Sequence, residues 1–174
     1  MEREIEIVNY RPDLVSLKEE LEYYLGLSMN LDFVLKENGK VMVRADTPAG
    51  RNFGSVISQL LNGSPDESQR IKLRLLYFVK HLKELAELKP SALEKFRSRL
   101  RSTGDDVANF YGTMFEVEIG ASLARKGLSF EEGERPDFEV EFSEETVGIE
   151  CTIGRIEGGR TSPQKDRGKN TEER

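Results

Sequence analysis

From Asp66 to Pro90 the sequence commits itself to one long helix, and this stretch constrains the rest of the chain more than any other. Ile71, Leu73, Leu75, Val79, Leu82, Leu85 and Leu88 predict a largely apolar helix that needs neighbours on several sides. A second helix is expected from Pro90, with Leu93, Phe96 and Leu100 inward and Lys95, Arg97, Arg99 and Arg101 mostly outward. Ser102-Thr103-Gly104 breaks it.

The segments upstream alternate between the two periods. Glu4-Ile5-Glu6-Ile7-Val8 alternates like a short strand. Pro12-Asp13 opens a helix with Leu14, Leu17, Leu21 and Leu25 inward, ending at Gly26. Leu31–Leu35 and Val41–Arg44 then flank Asn38-Gly39, a pair that tolerates the positive φ angles of a tight type I′ hairpin turn. Thr47-Pro48-Ala49-Gly50 reads as a loop. Phe53, Val56, Ile57, Leu60 and Leu61 make one face of a short helix that stops at Asn62-Gly63-Ser64-Pro65.

Downstream, a helix is expected from about Asp105 to Lys126, ended by Gly127. Strands are expected near Leu128–Glu131, Asp137–Phe142 and Val147–Ile153. The last segment, Gly154 to Arg174, holds one large apolar residue, Ile156, and is expected to be a flexible polar tail that orders only on a partner. Three regions follow: 1–103, mostly helical with a β-hairpin; 104–153, a helix and three strands; and the tail, 154–174. The fold class is α/β in the α+β sense.

Composition excludes several classes. With 174 residues, 37% hydrophobic and 33% charged, the chain reads as a charge-rich globular protein. No stretch approaches the roughly 18 consecutive apolar residues of a membrane helix. No apolar segment follows Met1-Glu2-Arg3-Glu4, so no signal peptide is read there. The single cysteine, Cys151, allows no internal disulfide, and a cytoplasmic location is expected. There is no phosphate-cradling glycine loop, no zinc spacing and no serine-triad signature. The net charge of −6 hides an uneven distribution. Residues 66–103 carry 10 Lys and Arg against 5 Asp and Glu, whereas residues 104–153 carry 3 against 13. Such a layout suits a protein that grips phosphates with one surface and holds cations with another, although two solvated charged faces would look the same.

Three carboxylates stand out in the acidic region. Phe115, Ile119 and Leu123 are spaced four apart as an inward helical stripe, beside which Glu116 projects. Glu118 lies about 200° round the helix from Glu116, so the two cannot share a face. Asp137 follows Pro136, which has no N–H to give a ladder and suits the start of a strand. Glu150 sits in Val147-Gly148-Ile149-Glu150-Cys151-Thr152-Ile153, where Glu150 and Thr152 face away from the apolar residues. A carboxylate in such a run is costly unless a cation or donors accompany it. His81 reads as a helix residue and Cys151 as a small core residue with no histidine to activate it.

Helix, Pro-Asp strand and Glu-x-Thr strand, in that order, resemble the PD-(D/E)xK nuclease superfamily, whose core is the restriction-endonuclease-like fold. Residues 115–127 match the spacing of the family's Phe-Glu helix through to its closing glycine. Pro136-Asp137 matches its Pro-Asp, and Glu150-Cys151-Thr152 falls on its (Asp/Glu)-x-Lys tripeptide. The resemblance covers roughly a third of the chain. It implies an αβββ core over residues 104–153 and hydrolysis of DNA phosphodiester bonds with Mg²⁺ or Mn²⁺. Asp137, Glu150 and the Cys151 carbonyl would be ligands, and Glu116 would hold a metal-bound water or a second ion.

Two departures accompany it. Thr152 stands where the family carries a catalytic lysine, so Lys165, Lys169 or Arg135 would have to supply the cation, or catalysis fails. The sequence also gives out where the family's next helix and strand would follow, which leaves two expectations open: a truncated form of a longer protein, or a tail that folds only on a partner. The partner expected is nucleic acid, DNA first, gripped by Arg97, Arg99, Arg101, Lys165 and Lys169; no membrane is expected, and a homodimer stays open. The competing readings are a silent nucleic-acid-binding or protein-interaction module that kept the nuclease fold, and a purely structural interaction protein.

Overall fold

A computed structural model describes residues 2–102, 107–133, 135 and 137–152. The elements run β1 (Arg3–Ile5), α1 (Ile7–Tyr10), α2 (Pro12–Leu25), β2 (Leu31–Leu35), β3 (Val41–Ala45) and α3 (Pro48–Asn62). They continue as α4 (Pro65–Leu88), α5 (Pro90–Ser102), α6 (Val107–Arg125), β4 (Ser129–Glu132), β5 (Phe138–Phe142) and β6 (Glu145–Ile149). The architecture is mixed α and β, with two separate antiparallel sheets, β1-β2-β3 and β4-β5-β6. Among the described residues no helix is long and apolar enough to cross a membrane.

α4 is the spine. Its start is fixed by a capping box: the Ser64 hydroxyl accepts from the Glu67 amide, and the Glu67 carboxylate accepts from the Ser64 amide at 2.9 Å. Leu75, Leu82 and Leu85 on its inner face are fully buried. α2 and α3 pack on it from one half of the chain, α5 and α6 from the other. A single cluster of buried side chains therefore runs from Leu14 on α2 to Val140 on β5. Phe53, edge-on to Phe110 at 4.6 Å, joins the two halves in its middle.

The first sheet differs from expectation at both ends. β1 stops at Ile5, where its pairing with Phe33 of β2 ends, and Ile7–Tyr10 turns helical to lead into α2. The β2–β3 hairpin forms as the Asn38-Gly39 pair suggests, but its turn is not type I′. The Gly39 amide donates to Lys36 O at 3.0 Å and the Lys36 amide to Lys40 O at 2.9 Å, leaving a three-residue loop. Only Gly39 of that loop takes positive φ, at 77°, the arrangement of a type I turn closed by a glycine bulge. Thr47–Gly50 is not a loop either. Thr47 caps α3, its hydroxyl accepting from the Gly50 amide at 3.0 Å, and Pro48 occupies the first helical turn.

In the second half the inward face of α6 is rotated from the expected Phe115-Ile119-Leu123 stripe. Phe110, Met114, Val117, Ala121 and Leu123 are the buried apolar side chains, so Leu123 of that stripe is inward as expected while Phe115 and Ile119 are only half-buried. α6 is apolar nearly all round, and contacts with α4, α5 and β4 decide which side is covered. The rotation buries Glu116. One turn on, Gly120 lets α6 sit close to two rings: a Cβ there would lie 3.2 Å from Phe96 and 3.4 Å from Phe138. β6 runs Glu145–Ile149 rather than Val147–Ile153, because the chain reverses at Ser143-Glu144, where Ser143 has φ 54°.

Candidate functional site

β5 and β6 pair in register from Phe142 with Glu145 to Phe138 with Ile149. Asp137 and Glu150 lie one step beyond that last pair, so they leave the sheet at the same end and, by strand alternation, on the same face. The Asp137 Oδ2 atom accepts a 2.6 Å hydrogen bond from the Cys151 amide. The carboxylate thus continues the ladder after the strand has stopped.

Glu116 reaches this end from α6. It is 7% exposed and would be destabilising there without a counter-charge. Arg99 of α5 supplies one: its Nη2 donates to Glu116 Oε1 at 2.8 Å, and its Nη1 donates to Oε2. The charges meet at Cys151. Burial pushes that thiol up to about 11; the negative charges of Asp137, Glu116 and Glu150 add to the rise, and Arg99 opposes it. The thiol is therefore no nucleophile near neutral pH.

The three carboxylates gather around one residue but do not converge as a metal cage. Among the described residues no group of three or more His, Cys, Asp or Glu side chains could hold an ion. Glu116 has both oxygens on Arg99. Asp137 has one oxygen on the Cys151 amide, and Glu150 and Thr152 are exposed. Asp137 Oδ1 and Glu150 meet no hydrogen-bond or ion-pair partner among the described residues. Mg²⁺ asks for one or two carboxylates plus waters and phosphate, so Asp137, Glu150 and the Cys151 carbonyl are a donor set of the right hardness without Glu116.

The other residues singled out from sequence fall apart into separate roles. Arg97 donates from Nε to Tyr24 O at 2.6 Å, and Arg101 from Nη2 to Leu25 O and Gly26 O. These two arginines close the C-terminus of α2, where unpaired carbonyls attract cations. Arg135 is exposed. Lys165 and Lys169 lie outside the described residues. His81 is buried on α4, its Nδ1 3.2 Å from Glu84 Oε2.

A charged seam between α5 and the second sheet escaped the sequence reading. Lys95, one turn before Arg99, meets Glu132 Oε2 at 3.2 Å and Glu131 Oε2 at 3.3 Å. Glu132 Oε1 is buried with no hydrogen-bond partner among the described residues. The signal available was the spacing of Lys95 and Arg99 by four, which puts two cations on one face of α5. The chain matches no protein family, no curated protein and no solved structure.

Proposed function

We propose that the end of the second sheet is a divalent-metal-dependent nuclease centre acting on DNA. In this reading residues 104–153 carry a restriction-endonuclease-like αβββ core of the PD-(D/E)xK kind. The observation that carries it is the 2.6 Å bond from the Cys151 amide to Asp137. It ties together the two chain segments that resemble the family's Pro-Asp and (Asp/Glu)-x-Lys motifs, at the end where Glu116 is buried.

Asp137, Glu150 and the Cys151 carbonyl would hold Mg²⁺ or Mn²⁺. When bound, such an ion acidifies a water and neutralises charge on a phosphate under attack. The chain's own contribution is orientation. The Cys151 amide fixes one Asp137 oxygen, and Thr152 adds no charge beside it. Glu116, neutralised by Arg99, shapes the wall of the site rather than holding the ion.

A supercoiled plasmid incubated with the protein and Mn²⁺ or Mg²⁺ tests this. Nicking is expected, and Asp137→Ala or Glu150→Ala should abolish it. Thr152→Lys should raise the rate on the order of a hundredfold, since it places a fixed cation beside Glu150. Nicking that survives Asp137→Ala would overturn the reading. The second reading is a silent nucleic-acid-binding or interaction module on the same fold. It is favoured by Glu116 having a resident arginine rather than open oxygens, and it expects binding without cleavage.

A further inference from the structure

Arg97, Arg99 and Arg101 follow one another on α5 but present their charges differently. Arg97 and Arg101 are turned onto backbone carbonyls at the end of α2. Arg99 is turned onto Glu116 of α6. Its pairing with Glu116 is end-on, one bond from each Nη. A guanidinium has five N–H donors, so this geometry leaves Nε–H and one N–H on each Nη unused by the pair. The carboxylate side chain is 9% exposed and the arginine side chain 39%, so the anion is the buried anchor and the cation faces water.

We propose that Arg99, held in orientation by Glu116, is the cation that this site presents to a nucleic-acid phosphate, in the place where Thr152 has no charge to offer. The proposal rests on the nuclease-like reading above for the location of the phosphate. Phe96, one turn before Arg99 on α5, packs its ring on Phe138 at 6.3 Å, next in the chain to Asp137, so α5 brings Arg99 to this end of the second sheet. A planar guanidinium matches two phosphate oxygens, and one already fixed by a carboxylate loses less freedom on binding than a free surface side chain. Lys95, one turn away beside Glu131 and Glu132, continues the same basic row. Glu116 is then a positioning residue, and Arg99 touches the substrate.

The test is a salt titration of binding to a short fluorescent DNA duplex in EDTA, using the full chain, so that neither metal nor cleavage enters. Arg99→Ala should weaken binding roughly tenfold or more. It should also reduce the slope of log affinity against log salt by about one, the signature of one lost phosphate contact. Arg99→Lys should keep the wild-type slope. Glu116→Gln should keep the slope while weakening binding less than Arg99→Ala, because the cation remains and only its anchor is lost. Unchanged affinity and slope in Arg99→Ala would overturn the proposal. So would equal losses in Arg99→Ala and Glu116→Gln, which would make the pair purely structural, and so would a wild-type chain that binds no duplex. Failure of the nuclease reading looks different: no metal-dependent nicking by the wild type, with the Arg99 effect on binding intact.

Discussion

The two sheets have the same size and the same simple strand order, yet they are finished in opposite ways. In the first, α3 lies along β3, and Asn62 at its end clips the strand. Asn62 Oδ1 accepts from the Val41 amide at 2.8 Å, and Nδ2 donates to the Val41 carbonyl at 2.7 Å. Phe33, Val34 and Val41 are buried, and Asp32 sits opposite Arg44. In the second, Phe130, Phe138 and Val140 are covered by the helices, but β6 has no buried residue. Phe142 and Val147 stand exposed among Glu139, Glu141, Glu144 and Glu145. The first sheet is closed by local hydrogen bonds and serves stability. The second keeps an acidic, half-covered end, and the buried carboxylate, the capped amide and the outward arginine all lie there.

The sharpest way to break the comparison is inside β5. Phe138→Ala removes a fully buried ring that packs on Phe96 and Phe130, and should cost about 3–5 kcal/mol. Phe142→Ala, on the same strand and face but 45% exposed, should cost under about 1 kcal/mol. Urea unfolding separates them, and equal losses would mean the far end of the hairpin is covered after all. Next in size is the clip on the first sheet. Asn62→Ala leaves the Val41 amide and carbonyl without that partner and should cost about 1–3 kcal/mol, read as a lower denaturation midpoint. No comparable clip holds β6 among the described residues, so Val147→Thr should leave the midpoint nearly unchanged.

The smallest effect is on pH dependence and belongs to the first half. Hydrogen bonds from Arg11, then Lys72, hold the Asp13 carboxyl well below the usual carboxylate range. A depressed folded pKa gives stability that is present above the unfolded value, near 4, and is lost as pH falls through the folded one. Asp13→Asn should therefore lower stability by a constant amount above about pH 4, small because the group is partly exposed and screened, and the gap to wild type should close as pH falls below that value. A variant curve parallel to wild type down to pH 2 would show that this ion pair contributes nothing.

What the sequence disclosed follows the same division. The Asn38-Gly39 hairpin, though not its turn type, and the α4 stripe apart from the exposed Leu73 and Leu88 are legible because their causes lie within a few residues of each other. The true face of α6 was not, since nearly every side of that helix is apolar and packing alone selects Val117 and Ala121. β6 was placed too late because Glu145 and Thr146 are polar, as an uncovered edge strand allows. Glu116, Asp137 and Glu150 could be picked out as a set, but their partners could not. Arg99 finds Glu116 only after α5 and α6 have packed, and Asp137 finds the Cys151 amide only where β6 has ended.

Divalent-ion binding tests most directly whether the end of the second sheet is a functional site. Free Mn²⁺ can be followed by its electron paramagnetic resonance signal as protein is added. The account predicts one bound ion per chain, lost in Asp137→Ala and in Glu150→Ala and retained in Asp32→Ala, which removes a carboxylate from the first sheet. No bound ion in the wild type, or binding that persists unchanged in Asp137→Ala, would contradict it.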